Sequence, residues 1–351
     1  MEPIALPRLL AAKRSYAVRR VDLPARARLS GPGYAPRAGD VVLARITSLG
    51  SHRRIELPTG RKASLYVGDE VILAYGNRYA PDQYEAYVPE TLGPCHMVAA
   101  GGIAAQAAAW HEKLAGPTAI EPIGVVCGAD GEPVNVGQFA LPALAGPLPS
   151  AVFGVFGTSM NAGKTETAAA LVRGFTRSGY RVGALKITGT ASGGDPWLMR
   201  DSGAADVLDF TDSGLATTFG VPIDTIIANT GNLLRRLNRA GCDLAVVEIA
   251  DGLFQDETRR LAADPRVRSL FDGVMFAAGD ALGAVDGVGR LSSLGHHVLG
   301  ISGSVMRSPL AAREVLSNVQ VPAYSLSDLQ DARTVSDIMT GILSGRLSAA
   351  E

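Results

Sequence analysis

The sequence predicts an α/β protein: a P-loop domain with three layers and a mostly parallel sheet over residues 151–351, preceded by a smaller, mainly-β domain. Three observations carry this. Apolar strand-like runs and amphipathic helical runs alternate from residue 151 onward, the pattern of a parallel sheet covered on both faces. A glycine-rich stretch, Gly157-Thr-Ser-Met-Asn-Ala-Gly-Lys-Thr165, lies between the first strand and the first helix of that series. Residues 35–92 instead carry short β-prone runs punctuated by Gly50, Pro58-Thr-Gly60 and Gly68-Asp69, as in a small barrel or sandwich.

In order along the chain, residues 1–34 form a basic segment, with Arg8, Lys13, Arg14, Arg19, Arg20, Arg26 and Arg28 against Glu2 and Asp22. No aromatic residues interleave with them in the manner of a nucleic-acid groove, so a solvated face or a partner contact is expected. The mainly-β domain spans 35–140 and is expected to hold one helix, over the alanine-rich residues 98–115. A hairpin follows around Ala129-Asp-Gly131, and Leu141-Pro-Ala-Leu-Ala-Gly-Pro-Leu-Pro149, within 141–150, reads as a linker. Beyond it, strands are expected at 151–156, 181–187, 243–249, 272–278, 297–301 and 321–326, and helices at 164–178, 223–240, 256–264, 309–317 and 330–343.

Bulk composition bounds the function. The chain has 351 residues, 47% hydrophobic and 19% charged, with a net charge of −1, which gives no global attraction to nucleic acid or anionic membrane. Cys95, Cys127 and Cys242 are far apart and suggest neither a zinc site nor a disulfide framework. No run is long and apolar enough for a membrane span, and no signal-peptide pattern opens the sequence, so a cytoplasmic protein is expected.

The glycine-rich stretch is a phosphate cradle, because successive backbone N–H groups and a helix N-terminus converge on one anion there. Thr158, Ser159, Asn161, Ala162, Gly163, Lys164, Thr165 and Glu166 are the candidate nucleotide-binding residues. Lys164 is expected on the β- and γ-phosphates and Thr165 on Mg²⁺. Asp243-Leu-Ala-Val-Val-Glu248 is an apolar strand ending in an acid, which makes Glu248 a second metal ligand. Lys186 ends the second strand of this domain, Arg181-Val-Gly-Ala-Leu-Lys186, and would meet developing phosphoryl charge. The loop Ile187-Thr-Gly-Thr-Ala-Ser-Gly-Gly-Asp195 is rich in hydroxyls and suits a flexible substrate or switch segment; Asp195 or Asp201 after it could complete the metal shell.

These motifs together resemble the dethiobiotin synthetase-like branch of P-loop proteins, the group that includes MobB. Thr158 in place of the motif's usual first glycine follows the G-T-x-x-x-x-G-K-T form of those synthetases. Gly179-Tyr-Arg-Val-Gly-Ala-Leu-Lys186 places a second lysine 22 residues after Lys164, and Val247-Glu-Ile-Ala-Asp-Gly252 is similar to their acidic strand end. The resemblance covers residues 151–326. It implies Lys164, Lys186 and Glu248 as catalytic contacts, Thr165 and Glu248 with one of Asp195 or Asp201 on Mg²⁺, and Gly303 where the base is read. The implied activity is an ATP-dependent kinase or ligase-like synthetase acting on a small carboxylate or carbamate. The alternative is a nucleotide-driven accessory protein, MobB-like or a metallochaperone-like GTPase, whose β-domain docks a client. A homo-oligomer is expected from the same branch, with no nucleic acid or membrane partner.

Overall fold

The structure, a computed structural model, describes residues 1–350, with side chains described through 342. It divides into two compact units. The first comprises Met1–Pro142 and two later segments, Gly189–Gly194 and Phe210–Gly220; the second comprises the rest.

The first unit holds strands β1 (Glu2–Ile4), β2 (Lys13–Arg14), β3 (Ala27–Leu29), β4 (Val41–Ser48), β5 (Arg54–Glu56), β6 (Lys62–Ser64), β7 (Glu70–Tyr75), β8 (Arg78–Tyr79), β9 (Tyr84–Tyr87), β10 (Cys95–Ala99), β11 (Ile103–Trp110) and β12 (Thr118–Cys127), and helix α1 (Leu6–Ala11). β12, β4, β7 and β11 pair in that order, and β10 pairs with both β11 and β12, which closes a five-stranded barrel. Alternation sorts its side chains: Val42, Ala44 and Ile46 of β4 join Ile72's neighbours Val71 and Leu73, Met97 and Ile120 in one buried cluster, while Val41 and Leu43 join a second with Leu9, Tyr16 and Val18 from the N-terminal segment. The basic segment is bound into this unit: Arg8 forks onto Glu70 at 2.7 and 3.0 Å, Lys13 pairs with Asp69, and Arg19 and Arg20 clamp the buried Asp212 at 2.6 and 3.1 Å.

The helix expected over 98–115 is not there; β10 and β11 occupy those residues. Alanine's helix preference is small per residue. Here Ile103 and Ala104 are paired on both sides, by β10 and β7, and Ala105 by β10, and burial of that ladder outweighs propensity.

His52 gives this unit an acid-sensitive group. Burial, then the nearby charge of Arg78, push its pKa down to about 4, and its buried Nδ1 has no hydrogen-bond partner. The unfolded chain therefore takes up the proton first. Stability is full above about pH 6.5 and falls as pH drops through about 4, by up to about 3 kcal/mol. Burial lowers His96 and His296 too, in the same direction. Urea midpoints at pH 7 and 4.5 are expected to differ less in His52→Gln than in the wild type.

The second unit holds strands β13 (Ala151–Gly157), β14 (Val182–Lys186), β15 (Asp206–Asp209), β16 (Leu244–Glu248), β17 (Gly273–Ala277) and β18 (Val298–Ser302). Its helices are α2 (Lys164–Arg177), α3 (Gly194–Asp201, whose first residue belongs to the other unit), α4 (Ile223–Arg239), α5 (Asp256–Ala263), α6 (Pro265–Arg268), α7 (Ala281–Ser293), α8 (Pro309–Leu316), α9 (Leu326–Leu329) and α10 (Ala332–Ala350). The strands form one parallel sheet in the order β15-β14-β16-β13-β17-β18. Phe153 and Val155 of β13 pack on one face with Leu171 and Phe175 of α2 and Leu329 and Val335 beyond. Phe156 points to the other face, against Phe271 and His296. The result is three layers with the P-loop strand β13 at the sheet's centre. The strand expected at 321–326 reduces to one bridge, Ile301 with Ala323, because Pro322 has no N–H to give a ladder. Helix α7 was not expected, because three internal glycines blur its helical pattern; its N-cap is Asp280, whose carboxylate accepts the Gly283 N–H at 2.8 Å. No helix among the described residues is long and apolar enough to cross a membrane.

Candidate functional site

β13 delivers the chain to the carboxyl edge of the sheet, where Thr158 to Gly163 turn back into α2. The turn is held at its entry by Thr158, whose N–H reaches the Ala277 carbonyl at 3.0 Å and whose hydroxyl accepts the Gly279 N–H at 3.3 Å. Asn161 takes a positive φ of 63°, and Gly163 caps α2 at φ 96°. No side chain caps that helix, so its first N–H groups are available to an anion. Gly303, φ 97°, supports the turn from behind: a Cβ there would lie 2.3 Å from the Ala162 carbonyl oxygen and 2.7 Å from the Ala278 nitrogen. Gly303→Ala is therefore expected to destabilise the protein by about 3 kcal/mol in urea unfolding, through strain and the displaced loop.

Lys164 and Thr165 open α2, and their side chains part. Lys164 is 6% exposed and its Nζ donates to the Ser159 carbonyl at 2.6 Å. Burial pulls its pKa down, opposed by Glu248 and Asp251. The Thr165 hydroxyl donates to Glu248 Oε1 at 3.0 Å. Glu248 and Lys186 are register partners on β16 and β14, so they stand side by side at the sheet edge. The Lys186 ammonium lies 3.7 Å from Glu248 Oε1 and pairs with Asp195. Burial alone would lower the Lys186 pKa, but Asp195 and Glu248 together hold it above the ordinary value. Asp195, against the effect of burial, is held below the usual carboxylate range by Lys186 and the Thr165 hydroxyl. Burial dominates at Glu248 and raises it.

Lys164, Thr165, Lys186, Asp195 and Glu248 thus form one cluster. Asp201 does not join it. It ends α3, exposed, six residues or roughly 9 Å along the helix from Asp195. Ser159 contributes its carbonyl to Lys164, while its hydroxyl turns to the Met160 carbonyl. Glu166 lies in the first turn of α2, where a carboxylate suits the helix dipole. Cys95-His96 is no nucleophile–base pair, since burial pushes the Cys95 thiol up to about 12.

The cluster fits a hard divalent cation. Glu248 is 2% exposed, and its Oε2 is buried with no hydrogen-bond partner. The donors beside it are all oxygens: the Thr165 hydroxyl and the Asp195 carboxylate. Among the described residues, no three His, Cys, Asp or Glu side chains are grouped to hold a metal by themselves. Mg²⁺ needs only one or two carboxylates when phosphate and water oxygens complete its shell.

The loop after Lys186, expected to be flexible, is hydrogen-bonded within the first unit. Gly189 and Thr218 exchange bonds, Ala191 N–H reaches Ala216 O at 3.0 Å, and the carboxylate of Glu56 accepts the Gly193 N–H at 3.0 Å. Glu56 was not singled out by sequence reasoning; its only sequence signal is an acid inside a short strand.

No protein-family profile matches the chain, and no curated protein matches it. Among solved structures it is similar to the signal recognition particle receptor FtsY from Elizabethkingia anophelis, at 13% identity over 55% of this chain and 67% of that chain, TM-score 0.38. It is also similar to a LAO/AO transport system kinase (14% identity, 57% and 61%, TM-score 0.35) and to FtsY from Mycoplasma mycoides (15%, 52% and 62%, TM-score 0.36). The chain thus spans less than two thirds of the latter two. These likenesses concern the fold alone. The parallel sheet, covered by helices and carrying the strand–loop–helix turn at 151–177, is a three-layer α/β domain of the P-loop type.

Proposed function

We propose that this chain binds a nucleoside triphosphate with Mg²⁺ at the P-loop and transfers its γ-phosphoryl group to a small carboxylate or carbamate. The observation that carries this is the placement of Lys186 beside Glu248, with Thr165 on one carboxylate oxygen and the other oxygen unpartnered. Bound Mg²⁺ would supply charge neutralisation at the phosphates, held by Thr165, Glu248 and Asp195. Lys164 would exchange the Ser159 carbonyl for phosphate oxygens. Lys186 stays protonated, so it serves as a fixed positive charge and not as a base. In the transfer, an acceptor oxygen bonds to the γ-phosphorus as the bond to the β–γ bridging oxygen breaks, and the nucleoside diphosphate leaves. ATP is the proposed nucleotide, as the sequence has no N-K-x-D guanine motif.

A second reading, a nucleotide-driven accessory protein, is favoured by one observation. The segments that leave the carboxyl ends of β14 and β15, Gly189–Gly194 and Phe210–Gly220, belong to the β unit. Phosphorus NMR of the protein with ATP, GTP and a panel of carboxylates and carbamates separates the two. Acceptor-dependent diphosphate release with a new acyl or carbamoyl phosphate signal is the result expected of the first. Slow hydrolysis that no acceptor alters, with nucleotide-dependent client capture, would favour the second.

A further inference from the structure

We propose that the first unit carries a docking cleft, walled by Tyr79 and Trp110, for a proline-rich segment of a partner protein that also carries a basic residue. This cleft depends on neither reading of the nucleotide site.

The cleft lies wholly in the first unit and has a volume of about 290 Å³. Its lining includes Tyr79, Pro81, Gln83, Glu85, Trp110 and His111. The sheet places its walls. β8 ends the strand order β11-β9-β8, and Ala80-Pro-Asp-Gln83 turns it into β9. Pro81 holds the turn position that proline favours, and the Gln83 N–H reaches the Ala80 carbonyl at 2.8 Å. Tyr84 and Ala86 are fully buried, so alternation turns Glu85 and Tyr87 outward. Register sets Tyr79, Glu85 and Ala109 in one row across three strands. Ala108 is an extra residue in β11, a bulge of the kind that re-aims nearby side chains, and Trp110 follows it. The end of β11 is then tied to the turn, where the His111 N–H meets the Gln83 carbonyl at 3.0 Å.

Trp110 is 48% exposed, Tyr87 44% and Tyr79 37%. A single exposed ring needs no explanation, but contiguous ones mark a contact surface. Tyr79 shares the cleft with Trp110, and it shares with Tyr87 the ring of Phe219, whose centroid is 5.4 Å from Tyr79 and 6.1 Å from Tyr87. Phe219 belongs to the same unit.

Ring faces are the main thing this cleft offers, because its polar groups already have partners within the chain. Gln83 Oε1 accepts from Arg78 at 2.7 Å, His111 Nδ1 accepts the Lys113 N–H at 3.2 Å, and Glu85 Oε1 accepts from the Tyr87 hydroxyl. A sugar, which is held by many hydrogen bonds, is poorly served. Phosphates of a nucleic acid or an anionic membrane would meet Asp82 and Glu85, and Lys113 is paired with Asp82 at 3.6 Å. The volume falls just under the range of small-molecule pockets, about 300–1,000 Å³. Small rings presented in series fit better. β8 and β11 stand two strand spacings apart, roughly 10 Å. Prolines one turn apart on a polyproline II helix lie about 9 Å apart, so successive turns match Tyr79 and Trp110. Glu85 stands between the two in the row, where it complements a basic residue placed between the prolines.

Fluorescence anisotropy of the full chain with labelled decaproline, and with the same peptide carrying arginine in place of a middle proline, tests this. Saturable binding of both is expected, the arginine peptide about threefold to tenfold tighter. Trp110→Ala and Tyr79→Ala are each expected to weaken both peptides by about tenfold or more. Tyr79→Ala decides the matter if Trp110→Ala does not fold. Glu85→Gln should remove the advantage of the arginine peptide and leave decaproline binding as it was. Tyr66→Ala, at an exposed ring of the same unit outside the cleft, should change neither. Absence of saturable binding by both peptides, binding that survives both ring variants, or an arginine advantage that survives Glu85→Gln overturns the proposal. So does binding of maltohexaose or of a thymidine oligonucleotide, lost with the same rings, where neither peptide binds.

Discussion

Replacing Lys164 by alanine is expected to weaken nucleotide affinity by at least about 100-fold, close to 3 kcal/mol. The side chain is nearly buried, and its ammonium is already folded back into the loop onto the Ser159 carbonyl. A polyphosphate entering the loop would offer it charged oxygens in exchange for that neutral one. Lys186, the other buried lysine of the cluster, is held instead by Asp195 of α3 and Glu248 of the neighbouring strand. Lys164→Met separates charge from packing, because the stem lies against Gly157, where a Cβ would come within 2.7 Å of Lys164 Cγ. Methionine should keep that contact and still lose the affinity, as isothermal titration calorimetry will show. An equal loss in both variants, with unfolding midpoints near the wild type's, identifies the charge as the cause.

Glu248→Gln is expected to leave Mg²⁺-free nucleotide binding in place, to remove its enhancement by Mg²⁺, and to slow phosphoryl transfer by about 100-fold or more. The amide keeps the shape and can still accept from Thr165, but it cannot neutralise a cation. Stability should move the other way. Burial raises the pKa of Glu248, so the ionised carboxylate is under desolvation strain in the ligand-free protein. A neutral isostere relieves that cost while Lys186 keeps Asp195. The variant is therefore expected to unfold at the same temperature as the wild type or slightly above it. Parallel thermal melts and Mg²⁺ titrations check the two halves of this prediction. A gain in stability joined to a loss of metal response is what a residue retained for binding should show.

The candidate phosphate site was legible in sequence because its elements are local. The cradle is one strand, one turn and one helix in succession, and Lys186 and Glu248 are each the last residue of an apolar strand. Parallel register then sets them side by side without further information. The choice between Asp195 and Asp201 was not legible, because it depends on where α3 starts. With α3 beginning at Gly194, Asp195 meets Lys186 and Asp201 is carried away by the helix. Residues 98–115 were misread for a different reason. Alanine carries no strand signal, and the ladder with β7 and β10 is made by residues distant in sequence. The bonding of Gly189–Gly194 was hidden in the same way. Its partners, Glu56 and Ala216 to Thr218, reveal nothing of the pairing until the chain is folded.

The central claim is that the loop at 157–165 with Glu248 binds a Mg²⁺–nucleoside triphosphate. Calorimetric titration of the wild-type protein with ATP and with GTP, each with and without Mg²⁺, tests it most directly. Saturable binding of one nucleotide per chain, tightened by Mg²⁺ and lost in Lys164→Met, is the expected result. Absence of binding by both nucleotides, or binding indifferent to Mg²⁺ and to Lys164, would contradict it.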